Sequence, residues 1–298
     1  MLQTAPAPVR SQAKAYLALT KPRIIELLLV TTVPTQVVAA RGLPHLGLIV
    51  CTVLGGALAA GGANAINMYV DRDIDSVMER TKGRPLVTGE IVASSAIRFA
   101  IGLEVVAFLV LWATVNLLSA VLAVVACLFY VFVYTLWLKR TSKSNIVIGG
   151  AAGAVPVLIG WSSVTNSLGW APVVLFAVIF YWTPPHFWAL AIKYRDDYAA
   201  ADVPMLPVVV SPRRTAERII LYTVLLWVLT LVFSPVAGMG HLYLGSALVL
   251  GAVFTAMAVK LWRSPSPPAA MALFHYSITY ITLLFGAMAV DQLLRTGR

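Results

Sequence analysis

The segment that decides the fold runs from Leu46 to Val70 and reads LGLIVCTVLGGALAAGGANAINMYV. It carries no charged side chain, and about 20 apolar residues suffice for a helix to cross the roughly 30 Å hydrocarbon core of a bilayer. The segment is therefore predicted to span a membrane. It ends directly before Asp71, the first of a group of acidic residues, so it also places charge at one membrane surface.

Eight further apolar stretches predict the rest of the architecture. They cover residues 24–40, 95–115, 118–138, 146–164, 172–192, 219–236, 242–262 and 271–293. The chain is 60% hydrophobic and only 11% charged, whereas a soluble domain carries about 25% charged residues. This composition excludes an ordinary soluble enzyme and predicts an all-α polytopic membrane protein with nine transmembrane helices. We expect an N-terminal segment 1–23, one nine-helix domain 24–293 and a short tail 294–298.

The basic residues predict the orientation in the membrane. With nine spans, all but Arg41, Arg295 and Arg298 of the 22 Lys and Arg residues fall on the N-terminal side. Because Lys and Arg are enriched in cytoplasmic loops, we expect a bacterial cytoplasmic membrane, with the N-terminus inside and the C-terminus outside. This bias accounts for the net charge of +10, so no nucleic-acid partner is predicted. A basic face can instead attract anionic lipids or a phosphorylated substrate.

The first acidic cluster follows the second predicted span. Asn67, Asp71 and Asp75 are four residues apart, so on a helix they drift by only about 40° per step and share one face. Asn64 extends this stripe by one turn, whereas Asp73 points away and is interpreted as a loop or cap residue. Side-chain oxygens that converge at the rim of a membrane helix can hold Mg²⁺, which prefers to share its coordination shell with phosphate oxygens.

A second acidic cluster follows the sixth span. Asp196 and Asp197 lie there, and Lys193 is an i,i+4 neighbour of Asp197, with which it can pair on a helix. Acidic helix ends in both halves of the chain suggest an internal repeat with one shared site between them. Since the polar residues sit at the rim rather than at mid-membrane, they favour an enzyme that acts on a lipid-soluble substrate with a charged head.

A polyprenyl diphosphate fits these two clusters. Carboxylates bind such a head through Mg²⁺, which also stabilises the charge that develops as the allylic C–O bond breaks. Basic side chains can clamp the remaining phosphate oxygens. The candidates are Arg80, Lys82, Arg84, Lys139, Arg140, Lys143 and Lys193.

Several motifs in order along the chain carry a family resemblance. They are LTKPR at 19–23, NMYVDRDID at 67–75, MERTKGRPL at 78–86, YTLWLKRT at 134–141, NIVIGG at 145–150, PPHFWAL at 184–190, DY at 197–198 and PMLP at 204–207. The acidic motif resembles that of the UbiA-type intramembrane prenyltransferases. The LTKPR, PPHFW and PMLP segments are similar to the branch of that family formed by the protoheme IX farnesyltransferases, also called heme O synthases.

This resemblance implies transfer of a farnesyl group from farnesyl diphosphate to a vinyl group of heme b, with hydration, to give heme O. It implies Mg²⁺ as cofactor, with heme b as a substrate, and a heme A synthase or terminal oxidase assembly as partner. The implied metal ligands are Asn67, Asp71, Asp75, Asp196 and Asp197, with Lys193 beside them as a catalytic candidate. The implied substrate-binding residues add Lys21, Arg23, Asn64, Asn145, His186 and Tyr198 to the basic set.

The sequence also departs from the family pattern. Asp196-Asp197 replaces a regular Asp-x-x-x-Asp motif, so Asp197, then Asp196, then Asp202 are the candidates for a second metal contact. The pair Lys143-Ser144 also differs from the expected Pro-Gln.

His186 and the overall activity each leave alternatives open. Pro184-Pro185 should interrupt the sixth helix, so His186 could ligate heme iron, hold a propionate, position a phosphate or form a structural hydrogen bond. The alternatives to heme farnesylation are prenylation of another acceptor such as a quinone precursor, transport, or heme carriage without catalysis.

Overall fold

The computed structural model describes residues 11–296, apart from the side chains of residues 23–29. Arg10 and Arg298, which were counted in the charge bias, and the Arg23 side chain therefore lie outside the described part. Residues 11–296 contain nine long helices: α1 (Pro22–Ala40), α2 (Leu46–Val70), α3 (Ala93–Thr114), α4 (Leu117–Thr141), α5 (Asn145–Thr165), α6 (Trp170–Lys193), α7 (Pro212–Ala237), α8 (His241–Arg263) and α9 (Pro267–Thr296).

The predicted all-α membrane architecture is confirmed. Within the described residues, α2 to α9 are long and apolar enough to cross a membrane. The first predicted span corresponds to α1, a helix of 19 residues whose described apolar part is Val30–Ala40. Eight of the nine predicted spans are therefore helices long and apolar enough to cross a membrane. The remaining one, the first span, is the continuous helix α1.

Helix α7 begins seven residues before the apolar stretch that predicted it. The Ser211 hydroxyl accepts a hydrogen bond from the Arg214 backbone N–H at 3.3 Å, and Pro212 occupies the first turn. A capping hydroxyl followed by proline is a favourable helix start regardless of hydropathy. The helix therefore continues out of the apolar region through charged residues that a hydropathy pattern assigns to a loop.

The predicted interruption of the sixth helix at Pro184-Pro185 is wrong. Helix α6 is continuous from Trp170 to Lys193, and both prolines are buried inside it. It packs against α5, α7 and α9, and such packing within a bundle tolerates proline because neighbouring helices compensate for the lost hydrogen bonds.

Small residues set the closest helix contacts. Gly55 of α2 packs under Leu111 of α3, and a Cβ on Gly62 would overlap Glu104. Close backbone approach at small residues is the common way in which membrane helices associate. The largest core lies among α5 to α9 and includes Phe233, Tyr280 and Phe285, while α9 also packs on α1. The last helix thus meets the first.

A small apolar cluster joins the loops on the side that carries most of the Lys and Arg residues, here called the basic side. It comprises Ile74, Met78, Ile146, Ala191, Tyr198, Val203 and Met205. These residues come from the short helices Arg72–Val77 and Arg195–Ala200, from the ends of α5 and α6, and from the loops beside them. Burial of this cluster brings the loops after α2 and α6 together, although they are more than 100 residues apart in the chain.

Candidate active site

The end of α2 forms the centre of the site. Asn67, Asp71 and Asp75 are all buried, with exposed fractions of 3%, 0% and 1%. The Asn67 Nδ2 donates to Asp71 Oδ2 at 2.8 Å. Asp71 lies between α2 and the short helix Arg72–Val77, and its carbonyl accepts the Asp75 backbone N–H at 2.8 Å. The spacing of four that predicted a shared face thus yields three adjacent buried polar side chains.

Two cations from the end of α4 contact this group. Lys139 Nζ donates to Asp71 Oδ2, and Arg140 Nη2 lies 3.7 Å from Asp71 Oδ1. Arg140 also forms a bidentate pair with Asp73, at 2.7 and 2.8 Å. These hydrogen bonds hold the pKa of the Asp73 carboxyl well below its usual range, although partial burial opposes them. Asp73 is exposed, and its contact is to Arg140.

Two further cations come from loops. Arg84 Nη1 lies 2.5 Å from Asp75 Oδ2, and Lys21 Nζ donates to Asn67 Oδ1 at 2.8 Å. Burial, followed by the charges of Arg84 and Lys139, lowers the pKa of Lys21 to about 7, and the neighbouring carboxylates oppose this shift.

The backbone of Lys21 is strained. Its φ is +52° immediately before Pro22, in the left-handed region that costs a residue other than glycine about 1–3 kcal/mol. The adjacent proline restricts this position further. The packing that holds Lys21 in this conformation places its ammonium group on Asn67.

Helix α4 changes to π-helix over Phe129–Leu138, a form that often occurs at functional sites. The Thr135 hydroxyl donates to the Tyr130 carbonyl at 2.8 Å and accepts from Asn67 Nδ2 at 3.1 Å. Tyr130 and Tyr134 stack with ring centroids 5.4 Å apart. Sequence reasoning missed Thr135 and Tyr130, because a π-helix has no clear residue signature. The YTLWLKRT motif, which contains Thr135, was the available signal.

One buried acceptor in this group remains unused. Among the described residues no donor forms a hydrogen bond with Asp71 Oδ1, and Arg140 Nη2, at 3.7 Å, forms only an ion pair with it. A buried carboxylate oxygen without a donor is costly unless a cation or another donor reaches it. The site thus presents a carboxylate oxygen suited to a hard metal ion. Among the described residues, no three His, Cys, Asp or Glu side chains form a ready-made metal cluster.

The second acidic motif meets the first loop through Asp197. Its Oδ2 accepts the Arg80 backbone N–H at 3.4 Å. Tyr198 is buried and its hydroxyl interacts with Arg80; burial raises the pKa of that hydroxyl. Asp196 and Asp202 are exposed. The structure therefore connects the two loops but does not bring Asp196 and Asp197 into one metal-binding group with Asp71 and Asp75.

Lys193 and Asp197, which are i,i+4 neighbours in the sequence, form no ion pair within the described part of the chain. Helix α6 ends at Lys193, and Tyr194 adopts a non-helical ψ of 28° before the next short helix. The i,i+4 geometry is therefore lost, and Lys193 Nζ lies 5.4 Å from the centroid of the Tyr194 ring.

The remaining predicted ligands divide into exposed and buried groups. Lys143 is exposed, and Lys82 pairs with Glu79 in solvent. Asn64 is buried and its Nδ2 donates to the Thr20 carbonyl at 3.1 Å. Asn145 is completely buried, and no described residue forms a hydrogen bond with its side-chain amide nitrogen or oxygen. Asn145 is thus the predicted ligand with the largest unsatisfied polar capacity.

His186 contacts α9. Its Nδ1 lies 2.6 Å from Ser277 Oγ, and its ring stacks between Trp182 and Phe274, with centroids 4.4 and 4.5 Å away. Trp182 Nε1 donates to the Ser277 carbonyl at 2.8 Å. A structural hydrogen bond is one of the alternatives given above for His186, and the contact with Ser277 Oγ is a bond of this kind.

Solved structures with a similar fold include a digeranylgeranylglyceryl phosphate synthase and UbiA homologues. A digeranylgeranylglyceryl phosphate synthase superposes with a TM-score of 0.79 at 16% identity, over 95% of this chain and 99% of that one. A UbiA homologue from Archaeoglobus fulgidus, solved with GPP and Mg²⁺, gives 0.65 at 18% identity, over 92% and 99%. At these identities the likeness establishes the fold alone.

Sequence relatives are much closer. A protoheme IX farnesyltransferase from Frankia alni is 55% identical over 285 residues, covering 95% of this chain and 99% of the relative. One from Parafrankia sp. strain EAN1pec is 54% identical over 292 residues, covering 97% and 93%. The pattern of the UbiA prenyltransferase family matches residues 28–284. The chain belongs to the UbiA prenyltransferase family and, within it, groups with the relatives named protoheme IX farnesyltransferase.

Proposed function

We propose that this protein transfers the farnesyl group of farnesyl diphosphate to a vinyl group of heme b, with addition of water, and releases heme O and diphosphate. The observation that carries the proposal is the buried carboxylate of Asp71, whose Oδ1 accepts no hydrogen bond from the described residues while Lys139 and Arg140 pair with the carboxylate. The names of relatives that share about half of the sequence support heme as the acceptor.

The charge of the site suits a diphosphate with one metal ion. The cations Lys21, Arg84, Lys139 and Arg140 face the carboxylates Asp71, Asp73 and Asp75. This set carries one excess positive charge when Lys21 is protonated, and one Mg²⁺ raises the excess to that of a trication. The fully ionised head of farnesyl diphosphate is a trianion, so the three components are electrically complementary. Binding of the anion also favours protonation of Lys21.

Asp71, Asp75 and Asn67 are the residues that would hold Mg²⁺. Carboxylate and amide oxygens are the donors this ion takes from proteins, and Asp71 Oδ1 has no competing hydrogen bond. When bound, Mg²⁺ neutralises charge on the leaving diphosphate. Asp197 is the first candidate for a contact from the second motif, because it already joins the Arg80 loop. Asp196 is the second candidate, and Lys193 lies beside this motif.

The cations bind the diphosphate and make it a better leaving group. Arg84 and Arg140 present planar guanidinium groups suited to phosphate oxygens, while Lys21 and Lys139 supply ammonium groups from the two sides of Asn67 and Asp71. Arg80, Lys82, Lys143 and Arg23 surround this centre as candidates for weaker, more exposed contacts. Asn64 supports the Thr20 carbonyl next to Lys21.

Loss of diphosphate breaks the allylic C–O bond and leaves a farnesyl cation. The terminal vinyl carbon of heme b attacks this cation, and water adds to the resulting cation next to the porphyrin ring, releasing one proton to solvent. No strong general base is required for these steps. The stacked rings of Tyr130 and Tyr134 can stabilise the allylic cation through their π faces.

Asn145, Tyr198 and His186 complete the proposed substrate contacts. The unpartnered amide of Asn145 can donate to a phosphate oxygen and accept from a basic side chain. Tyr198 orients Arg80. His186 is buried against Ser277, so its contribution to heme binding would be the position of its ring rather than a charge.

The proposed setting is the cytoplasmic membrane of a bacterium, with the N-terminus and the diphosphate site inside. The charge asymmetry of the loops supports this orientation. Release of a heme with an added farnesyl tail into water is unfavourable. We therefore expect direct transfer of the product to a membrane partner such as a heme A synthase or a terminal oxidase under assembly, which co-purification would test.

The deciding experiment supplies the purified protein with heme b, farnesyl diphosphate and Mg²⁺, and measures product mass and diphosphate release. We expect a hydroxyethylfarnesyl adduct that requires Mg²⁺ and disappears in Asp71→Asn. Glu217→Gln is the matched control, because Glu217 is exposed, loses the same charge and contacts Trp262 rather than this site. Heme binding without product would support a carrier instead, and product only with a quinone precursor would support a different acceptor. Solute flux without diphosphate release would support a transporter.

A further inference from the structure

A groove on the outer surface between α7 and α8 is separate from the site described above. It has a volume of about 620 Å³, and its walls include Trp227, Thr255, Ala256, Lys260, Arg263 and Ser264. The same two helices also carry exposed apolar side chains, such as Leu225 and Val253. In a membrane this surface faces lipid, so the groove is accessible from the bilayer.

The groove has the length of one leaflet. At its deep end the Trp227 indole lies directly against Gly251, where a Cβ would overlap it. Arg263 at the other end is twelve residues further along α8, which corresponds to about 18 Å at 1.5 Å per residue. Half of the hydrocarbon core is about 15 Å thick. The groove thus runs from mid-membrane to the headgroup region of the basic side.

The open end carries unpaired positive charge. Lys260 and Arg263 are exposed, and among the described side chains neither forms an ion pair. Trp262 beside them stacks under Arg213, 4.9 Å from ring centroid to guanidinium carbon, and its Nε1 donates to Glu217 at 3.4 Å. Tryptophan anchored in this way is typical of the membrane–water interface. Its position places the two cations at the level of lipid phosphates.

Polar groups inside the groove also lack partners. Threonine hydroxyls in the long helices commonly donate to the carbonyl four residues earlier, as those of Thr35, Thr183 and Thr223 do. Within the part of the chain that the structure describes, neither the Thr255 hydroxyl nor the Trp227 indole nitrogen has a hydrogen-bond partner. Thr255 lies five residues before Lys260, about 7.5 Å along the helix. An ester carbonyl just below a headgroup phosphate would lie at this depth.

We propose that the α7–α8 groove binds an anionic phospholipid of the leaflet on the basic side. One acyl chain lies along the groove, the phosphate contacts Lys260 and Arg263, and the Thr255 hydroxyl turns to an ester carbonyl. A phosphodiester headgroup needs no metal ion, and the groove walls contain no carboxylate that could hold one. This distinguishes it from the Asp71 site and from a diphosphate ligand.

The test measures lipid binding to the full chain by native mass spectrometry, using phosphatidylglycerol and phosphatidylcholine with identical acyl chains. We expect selective retention of one phosphatidylglycerol. Lys260→Gln with Arg263→Gln should weaken it roughly thirtyfold, from the attraction that each basic residue exerts on anionic lipid. Lys14→Gln with Arg98→Gln is the matched control, because it removes two exposed charges from the same side and should leave binding unchanged.

A second variant tests the groove itself. Ala256→Phe adds an aromatic ring at an exposed groove position, so it should exclude the acyl chain and abolish retention while the protein still forms product. Equal losses in the groove and control double variants would mean that the cations serve only membrane orientation, and would overturn the proposal. Displacement of phosphatidylglycerol from the groove by farnesyl diphosphate would overturn it as well.

Discussion

Replacement of Arg84 separates the structural cost of the site charges from their role in catalysis. The Asp75 side chain is 2% exposed and that of Arg84 is 21% exposed, and their atoms lie 2.5 Å apart. Removal of one partner from a buried ion pair costs about 3–5 kcal/mol, since it leaves an isolated charge. Because Arg84 is partly hydrated and Lys21 also attracts Asp75, we expect Arg84→Gln to lower the free energy of unfolding by about 2–4 kcal/mol.

A double-mutant cycle with Asp75→Asn provides the measurement. The free energy of unfolding is determined by denaturant titration in detergent, with the circular dichroism signal as the measure of unfolding. The double variant contains no isolated charge at this pair, so it should regain most of the stability lost in Arg84→Gln, with a coupling energy of about 2 kcal/mol. Farnesyl transfer should not recover, because both the proposed metal ligand and the phosphate ligand are then missing.

Lys82→Gln serves as the control for this cycle. Lys82 is two residues from Arg84 and pairs with Glu79 at the surface, so its replacement should change the free energy of unfolding by less than about 0.5 kcal/mol. If Arg84→Gln unfolds like the wild-type protein, or if the double variant is no more stable than Arg84→Gln, the Asp75–Arg84 pair is not the buried, coupled pair described above.

Three further predictions concern single positions. Asn145→Leu removes a buried amide that has no hydrogen-bond partner among the described residues. Thermal unfolding should therefore show equal or higher stability, while KM for farnesyl diphosphate rises about tenfold. An unchanged KM would exclude a contact between Asn145 and a phosphate. Asp291→Ala deletes the carboxylate that accepts the Gly240 N–H at 2.6 Å at the start of α8, and should cost about 2–3 kcal/mol of unfolding free energy without changing kcat. Thr135→Val removes the acceptor for Asn67 and should lower kcat about tenfold; activity equal to wild type would contradict the proposed orienting role.

Much of the architecture follows from local sequence patterns. Hydropathy located the spans, because a helix in hydrocarbon must be apolar over a fixed length whatever it packs against. The local sequence at Pro184-Pro185 predicts a break that does not occur, because the effect of proline depends on neighbouring helices: α5, α7 and α9 pack against α6, which stays continuous. Helix α7 was predicted too short for a related reason, since its start is set by the Ser211 cap rather than by the edge of the bilayer.

The sequence by itself determined the membrane class, the family and the face shared by Asn67, Asp71 and Asp75. That face requires only the regular turn of one helix. Only the tertiary structure decided which cations meet these groups. Lys21 reaches Asn67 across 46 residues and Lys139 reaches Asp71 across 68. The contact between the two acidic loops, from the Arg80 backbone N–H to Asp197, spans 117 residues. Such pairs depend on which helices pack together and on how the π-helical segment rotates the end of α4. Neither helix packing nor a π-helical segment produces a periodic pattern in the local sequence.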